Sequence, residues 1–165
     1  PHATRMAEEA GADTIIERKS VFDQTARITG ARIYKPMLGM EIPVGGFERI
    51  YDTVGVSATL NLAMRLLTAM GTLSVVGIGG DVKVDLTPLW LKLQTIKGVY
   101  AYGMGLIDGK RQPVFQAALD MIARRKLQTE PLVTHRFALE DYRRMIEVNL
   151  KKSAHQAIKT VVAFP

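Results

Sequence analysis

The sequence contains no cysteine. Disulfides and thiolate metal ligands are therefore excluded within it. Histidine is nearly as scarce: His2, His135 and His155 are the only 3, and no two stand at a spacing that lets imidazoles share a metal. No metal site is expected here. No apolar run approaches the ~18 residues that a membrane-crossing helix needs. No signal peptide opens the chain. It starts at Pro1-His2 without a methionine and enters helical patterning almost at once, as the middle of a longer protein would, and as an engineered or processed N-terminus would equally. The lack of cysteine fits a cytoplasmic protein, although oxidising compartments permit disulfides without requiring them. Aromatic residues are only 7%, and none is interleaved with the basic runs in the manner of single-strand nucleic-acid binders.

What is present is enough for a folded domain or slightly more. A chain of 165 residues buries on the order of 70% of its unfolded surface, and 47% hydrophobic content is ordinary for a globule. The net charge is +6. Its basic residues are scattered (Arg124-Arg125-Lys126, Arg143-Arg144, Lys151-Lys152), which reads as a solvated surface or as attraction for an anionic ligand such as a dinucleotide pyrophosphate, not as a nucleic-acid face.

Periodicity alternates along the chain. Residues 3–10 read as the end of a helix stopped by Gly11, and "DTIIE" (13–17) reads as a short strand. A helix over 20–30 has Ser20 as N-cap and Gly30 as its stop. Residues 31–46 hold two prolines and three glycines in irregular order, which predicts a loop or a short hairpin. A strand follows at 47–55. Ser57 is placed as the cap of a helix carrying Leu60, Ala63, Met64 and Leu67 at helical spacing, with Gly71 as its stop. Then come a strand (72–78), a short helix around Pro88 (86–94) and a strand (95–103). A helix over 112–127 keeps Arg124, Arg125 and Lys126 in its last turn, where the dipole favours cations. A strand (131–137), an amphipathic helix (138–153) and a final strand (157–164) close the chain. Strands alternating with helices predict an α/β fold with a largely parallel sheet.

The strand at 72–78 ends in Gly77-Ile78-Gly79-Gly80, which invites a phosphate-binding reading. That fingerprint is G-x-G-x-x-G between strand and helix. Its third place here is Val82, and no helix begins there. "GMGLIDG" (103–109) has one residue too many between its second and third glycines. Both are better read as something other than the fingerprint, and 72–78 as a later strand whose carboxyl end lines a cofactor crevice.

The ordered set "GFERIYDTVGVSATLNLAMRLLTAMGTLSVVGIGG", "TIKGVYAYG", "ALDMIARRKLQTEPLVTHRFALEDYRRMIEV" and "IKTVVAF" resembles the C-terminal half of a zinc-type medium-chain alcohol dehydrogenase, the group that includes sorbitol- and threonine-dehydrogenase-like enzymes. The resemblance covers nearly the whole chain except the insertion around 31–46. It implies a partial Rossmann-like, doubly wound, mostly parallel sheet followed by a C-terminal helix-strand-helix-strand segment. Residues 1–103 would be the latter part of the nucleotide-binding domain, and 104–165 the segment that returns to the catalytic domain.

The same resemblance implies a function: hydride transfer between an alcohol or polyol and NAD or NADP. The zinc, the catalytic residues and the glycine fingerprint would lie in a part not contained in this sequence, so the isolated chain is expected to be inactive. Thr53, Val54 and Val56 would face the adenosine and ribose. Val76, Gly77 and Ile78 would approach the nicotinamide, and the backbone of Val99, Tyr100 and Ala101 its carboxamide. Lys159 would reach the pyrophosphate, where a cation forms charge-assisted hydrogen bonds. Asp52, a carboxylate at a strand end, reads as a turn ligand before a general base. Trp90, Tyr100 and Tyr102 read as core packing or subunit contact. The strand 95–103 would pair with its mate in a homo-oligomer. A non-catalytic Rossmann-like interaction or dimerisation domain is the alternative, with a weak nucleotide-binding module of another superfamily behind it. The resemblance also poses a problem of order. In the sheet 3-2-1-4-5-6, "DTIIE" would be strand 3, and strands 1 and 2 are absent. It must pair directly with strand 4, be completed by another chain, or abandon strand form; either form of pairing is the expectation.

Overall fold

Apolar β-formers preceding Asp52 and Val75, with an amphipathic helix between them, build the centre of this protein. Its structure is a computed structural model that describes residues 2–35, 37, 41–100 and 102–164. In chain order the elements are α1 (His2–Glu9), α2 (Val21–Thr29), β1 (Arg32–Tyr34), β2 (Ile42–Val44), β3 (Phe47–Asp52), α3 (Ser57–Leu66), β4 (Leu67–Val75), α4 (Thr87–Leu91), β5 (Thr95–Gly98), β6 (Met104–Ile107), β7 (Lys110–Pro113), α5 (Val114–Ala123), β8 (Val133–Phe137), α6 (Tyr142–Leu150) and β9 (Lys159–Val162). They fall into two units, residues 16–100 and residues 1–15 with 101–165.

In the contiguous unit, β3, β4 and β5 form a parallel sheet in that order. Parallel neighbours need a crossover, and helices supply it. Leu60, Ala63 and Met64 of α3, on the stripe read from the sequence, pack with Leu67 and Leu73 of β4 as the buried core, against Ile50, Val75, Val84 and Leu89. Met64, Leu67 and Leu73 are wholly buried, and each such side chain contributes roughly 1.5–3 kcal/mol of transfer free energy. The 31–46 segment contains an antiparallel hairpin of β1 and β2 with Ile33 opposite Pro43, one of the two forms expected of it.

Several boundaries differ from the sequence reading. Residues 13–17 form no strand: "DTIIE" joins no ladder, and the chain passes through a 3-10 turn at Arg18–Ser20 straight into α2. A strand exists through its partner, and without one Ile15 and Ile16 stay half-buried. Of the three outcomes open to it, this is the loss of strand form. Ser57 is the first residue of α3 and not its cap; its hydroxyl accepts the Lys83 N–H at 2.9 Å. The helix ends at Leu66, not before Gly71, and β4 starts at Leu67. The cause lies far along the chain. Lys92 Nζ donates to the carbonyls of Arg65 (2.8 Å) and Leu67 (2.7 Å), and Gln94 Nε2 donates to that of Met64 (2.8 Å). Carbonyls that a helix normally leaves open at its end are thus closed by side chains from the segment before β5. Met70 then takes a left-handed conformation (φ 60) where β3 and β4 shift register between Phe47 and Arg49. β5 stops at Gly98, short of the predicted 103.

In the discontinuous unit, α1 closes as predicted around Gly11 (φ 98), with Gly11 N–H on Glu8 O and Ala12 N–H on Ala7 O, both 3.0 Å. β6 and β7 form an antiparallel hairpin across Asp108-Gly109, whose positive φ angles of 50 and 76 suit a type I′ turn. So "GMGLIDG" is a hairpin and not a phosphate loop. Arg124 stands at the C-cap of α5 and Arg125 and Lys126 beyond it, so the expected basic last turn is not there. β8 and β9 are parallel, joined through α6, with Phe137, Val148 and Ala157 buried between them and Met145 alongside. The segment α5-β8-α6-β9 is the helix-strand-helix-strand order expected.

Candidate functional site

A parallel sheet delivers all its strands' carboxyl ends to one edge, and in α/β folds that edge is where ligands bind. Here the edge carries the residues after β3, β4 and β5. Asp52, the last residue of β3, is only 5% exposed. Its Oδ1 accepts the N–H groups of Val54 (2.9 Å) and Gly55 (3.1 Å), and its Oδ2 accepts the Thr59 hydroxyl (2.8 Å). The Thr59 oxygen in turn accepts the Val56 N–H at 3.3 Å. Burial pushes the Asp52 carboxyl up, but the Val54 and Gly55 amides and the Thr59 hydroxyl together hold it below the usual carboxylate value. A carboxylate so fully engaged is a turn ligand, as the sequence suggested, and has no reason to accept a proton from a substrate.

The main-chain carbonyl of Asp52 performs a second task. It accepts the N–H groups of both Val76 (2.8 Å) and Gly77 (2.9 Å), so the turn after β4 hangs on the last residue of β3. The two turns then meet backbone to backbone. A Cβ on Gly77 would lie 2.2 Å from the Val54 carbonyl carbon, one on Gly79 1.8 Å from Gly55 O, and one on Gly55, at φ +77, 2.6 Å from Gly77 O. These glycines are required by close approach, not by a phosphate. The third strand end joins through the Val99 N–H, which donates to Val75 O at 2.9 Å.

The structure therefore brings Thr53, Val54, Val56, Val76, Gly77, Ile78, Val99 and Tyr100 to one edge. Val54, Val56, Val76 and Val99 are exposed, and Ile78 is 97% exposed, so the edge carries an apolar rim. A cleft of about 240 Å³ beside it is lined by Tyr51, Asp52, Thr53, Val54, Thr59 and Leu62, among others. A larger one, about 900 Å³, lies away from these turns between α2, α3 and the 83–85 loop. There Arg65 Nη2 meets Asp85 Oδ2 at 2.7 Å. Ala101 lies outside the described residues. Lys159 is exposed at the start of β9, in the discontinuous unit, where its carbonyl accepts the Thr134 hydroxyl at 3.2 Å. Trp90, Tyr100 and Tyr102 are all exposed, so core packing does not describe them; Tyr102 lies against Phe115 with ring centroids 6.5 Å apart.

A nicotinamide suits the apolar rim. For a pyrophosphate, the turn after β4 leads into no helix before Thr87, so no helix N-terminus stands there to receive the phosphates. For zinc, no three of His, Cys, Asp and Glu gather among the described residues.

A family model described as zinc-binding dehydrogenase matches residues 1–124. An L-threonine 3-dehydrogenase of Francisella philomiragia is 29% identical over 147 residues, which cover 87% of this chain and 38% of that enzyme. The solved 2R,3R-butanediol dehydrogenase of Bacillus subtilis superposes with a TM-score of 0.73 at 22% identity, over 100% of this chain and 42% of that one. A short chain alcohol dehydrogenase of E. coli CFT073, solved in complex with the cofactor NADH, superposes at 0.70 with 18% identity, over 99% and 42%. The last two likenesses establish the fold. The chain spans about two fifths of the length of each of these proteins.

Proposed function

The chain belongs to the zinc-binding dehydrogenase family, and on that premise we propose that it is the cofactor-presenting part of an alcohol or polyol dehydrogenase using NAD or NADP. Residues 1–103 are the latter part of its nucleotide-binding domain, and 104–165 the segment that returns to the catalytic domain. The observation that carries this reading is the strand-end edge: two loops joined at Asp52 O and a third strand end beside them present an apolar rim of Val54, Val76, Ile78 and Val99.

The group these residues would hold, a nicotinamide, would supply hydride-transfer chemistry toward an alcohol carbon. This chain's contribution is orientation. Val76, Ile78 and Val99 would cover one face of the ring and exclude water from it, and the backbone at Val99 and Tyr100 would pair with the carboxamide, which fixes the face presented. Thr53, Val54 and Val56, beside the smaller cleft, take the adenosine side. The edge strand β5, exposed along its length, is the surface for self-association, since its open side is a template for another strand.

The test is titration of the ¹⁵N-labelled chain with NADH. Weak binding is expected, with amide shifts concentrated at 53–56, 76–80 and 98–100. Shifts elsewhere with none at these positions would overturn the reading.

A further inference from the structure

We propose that Asp52 is the positioning residue of the strand-end surface, the one residue that makes its two loops move as a single body. This rests on the cofactor reading above. The carboxylate holds one loop, through Val54, Gly55 and Thr59. The carbonyl of the same residue holds the other, through Val76 and Gly77. Between the loops no side chain intervenes, because Gly55, Gly77 and Gly79 leave room for none.

Rigidity follows from this contact. A side chain between two loops can change rotamer and absorb a displacement, whereas two backbones already in contact cannot. If the Thr53–Val56 turn shifts when the carboxylate is lost, Gly77 and Gly79 must shift with it. Val76 and Ile78, which stand on that second loop, are carried along with Val54. The carboxylate thus acts on residues it never touches. A neutral amide of the same shape is enough: in Asp52→Asn the side-chain oxygen still accepts the two amides. The new NH₂ meets the Thr59 oxygen, and the Thr59 hydroxyl turns to Val56 O, already 3.1 Å away. Shape and acceptance, not charge, are what the site requires.

Hydrogen exchange of single amides tests this on the chain as it stands. Asp52→Ala is expected to speed exchange at Val76 and Gly77 by about tenfold or more, although both still have the Asp52 carbonyl as acceptor, and to leave Leu73 and Ser74 in the middle of β4 unchanged. Asp52→Asn is expected to restore wild-type rates. If only Val54 and Gly55 respond, the carboxylate is a local turn ligand and the proposal falls. If Leu73 and Ser74 accelerate equally, the residue serves general stability and the proposal also falls. Should Asp52→Ala not fold, Thr59→Val removes one donor and keeps the carboxylate: faster exchange at Val76 and Gly77 supports the proposal, and unchanged rates overturn it. NADH shifts in the wild-type chain report on the cofactor reading separately, because coupling between the loops is measured without ligand.

Discussion

Replacing Lys92 by methionine separates two opposed effects in one buried side chain. Lys92 is 7% exposed, and its Nζ closes the carbonyls of Arg65 and Leu67 at the end of α3. Losing a donor to a buried carbonyl costs about 1–3 kcal/mol, so Lys92→Met should weaken the fold while filling the same volume. Against this stands the burial of a charge beside Arg65, which lowers the Lys92 pKa from 10.5 to about 8. Below that value both folded and unfolded chains carry the proton, and the folded one bears the burial cost, roughly 3 kcal/mol for such a shift. Above it the folded chain sheds the proton while the unfolded chain keeps it. Stability must then rise with pH until the unfolded lysine also titrates. At neutral pH the two effects nearly cancel, and Lys92→Met should lie within about 1 kcal/mol of wild type. By about pH 9.5 the wild type should gain about 2 kcal/mol that the variant does not. Urea denaturation of both chains at the two pH values measures the difference, and titrations common to both cancel. Parallel stability curves across this window would refute the reasoning. A loss of several kcal/mol at neutral pH would show that the hydrogen bonds far outweigh the buried charge.

The glycine contact between the strand-end turns makes a sharp pair of predictions. Gly77→Ala should cost at least about 2 kcal/mol, because its Cβ would lie 2.2 Å from main-chain carbon, whereas Gly80→Ala, with nothing within 4 Å, should be nearly neutral; thermal melts of both check this. The exposed edge of β5 should make the chain self-associate, and Ile96→Lys should shift sedimentation toward monomer by guarding that edge with charge. Wild-type chains that stay monomeric at high concentration would remove β5 from consideration.

Much of this arrangement could be read before any coordinates. The α3 stripe announces its own buried face, and Gly11 and Gly30 end their helices because each takes a positive φ. The strands that lead to Val54, Val76 and Val99 are legible in the sequence, and β3, β4 and β5 end just before these residues. Local rules failed where partners are remote. Nothing near Leu66 says that a helix must stop, since the groups that stop it belong to Lys92 and Gln94. "DTIIE" has the composition of a strand, yet composition cannot supply a neighbour. The β6–β7 hairpin does carry a local signal, since Asp108-Gly109 is a strong turn pair. The double use of Asp52 had no sequence signal beyond its place at a strand end, because a backbone carbonyl looks the same at every residue.

The side-chain closure of α3 also bears on the order of events in folding. A helix that ends in its own glycine can be complete when its last residue has formed. α3 cannot, because its terminal carbonyls wait for Lys92 and Gln94, about two dozen or more residues downstream. A chain emerging from the ribosome would carry α3 with a frayed end until the segment before β5 has followed. Closing a loop of that length costs only a few kcal/mol of chain entropy, and the same closure brings β5 beside β4, Thr72 against Thr95. The last turn of the helix and the last strand of the sheet are thereby set to lock in a single step, late in the history of each molecule.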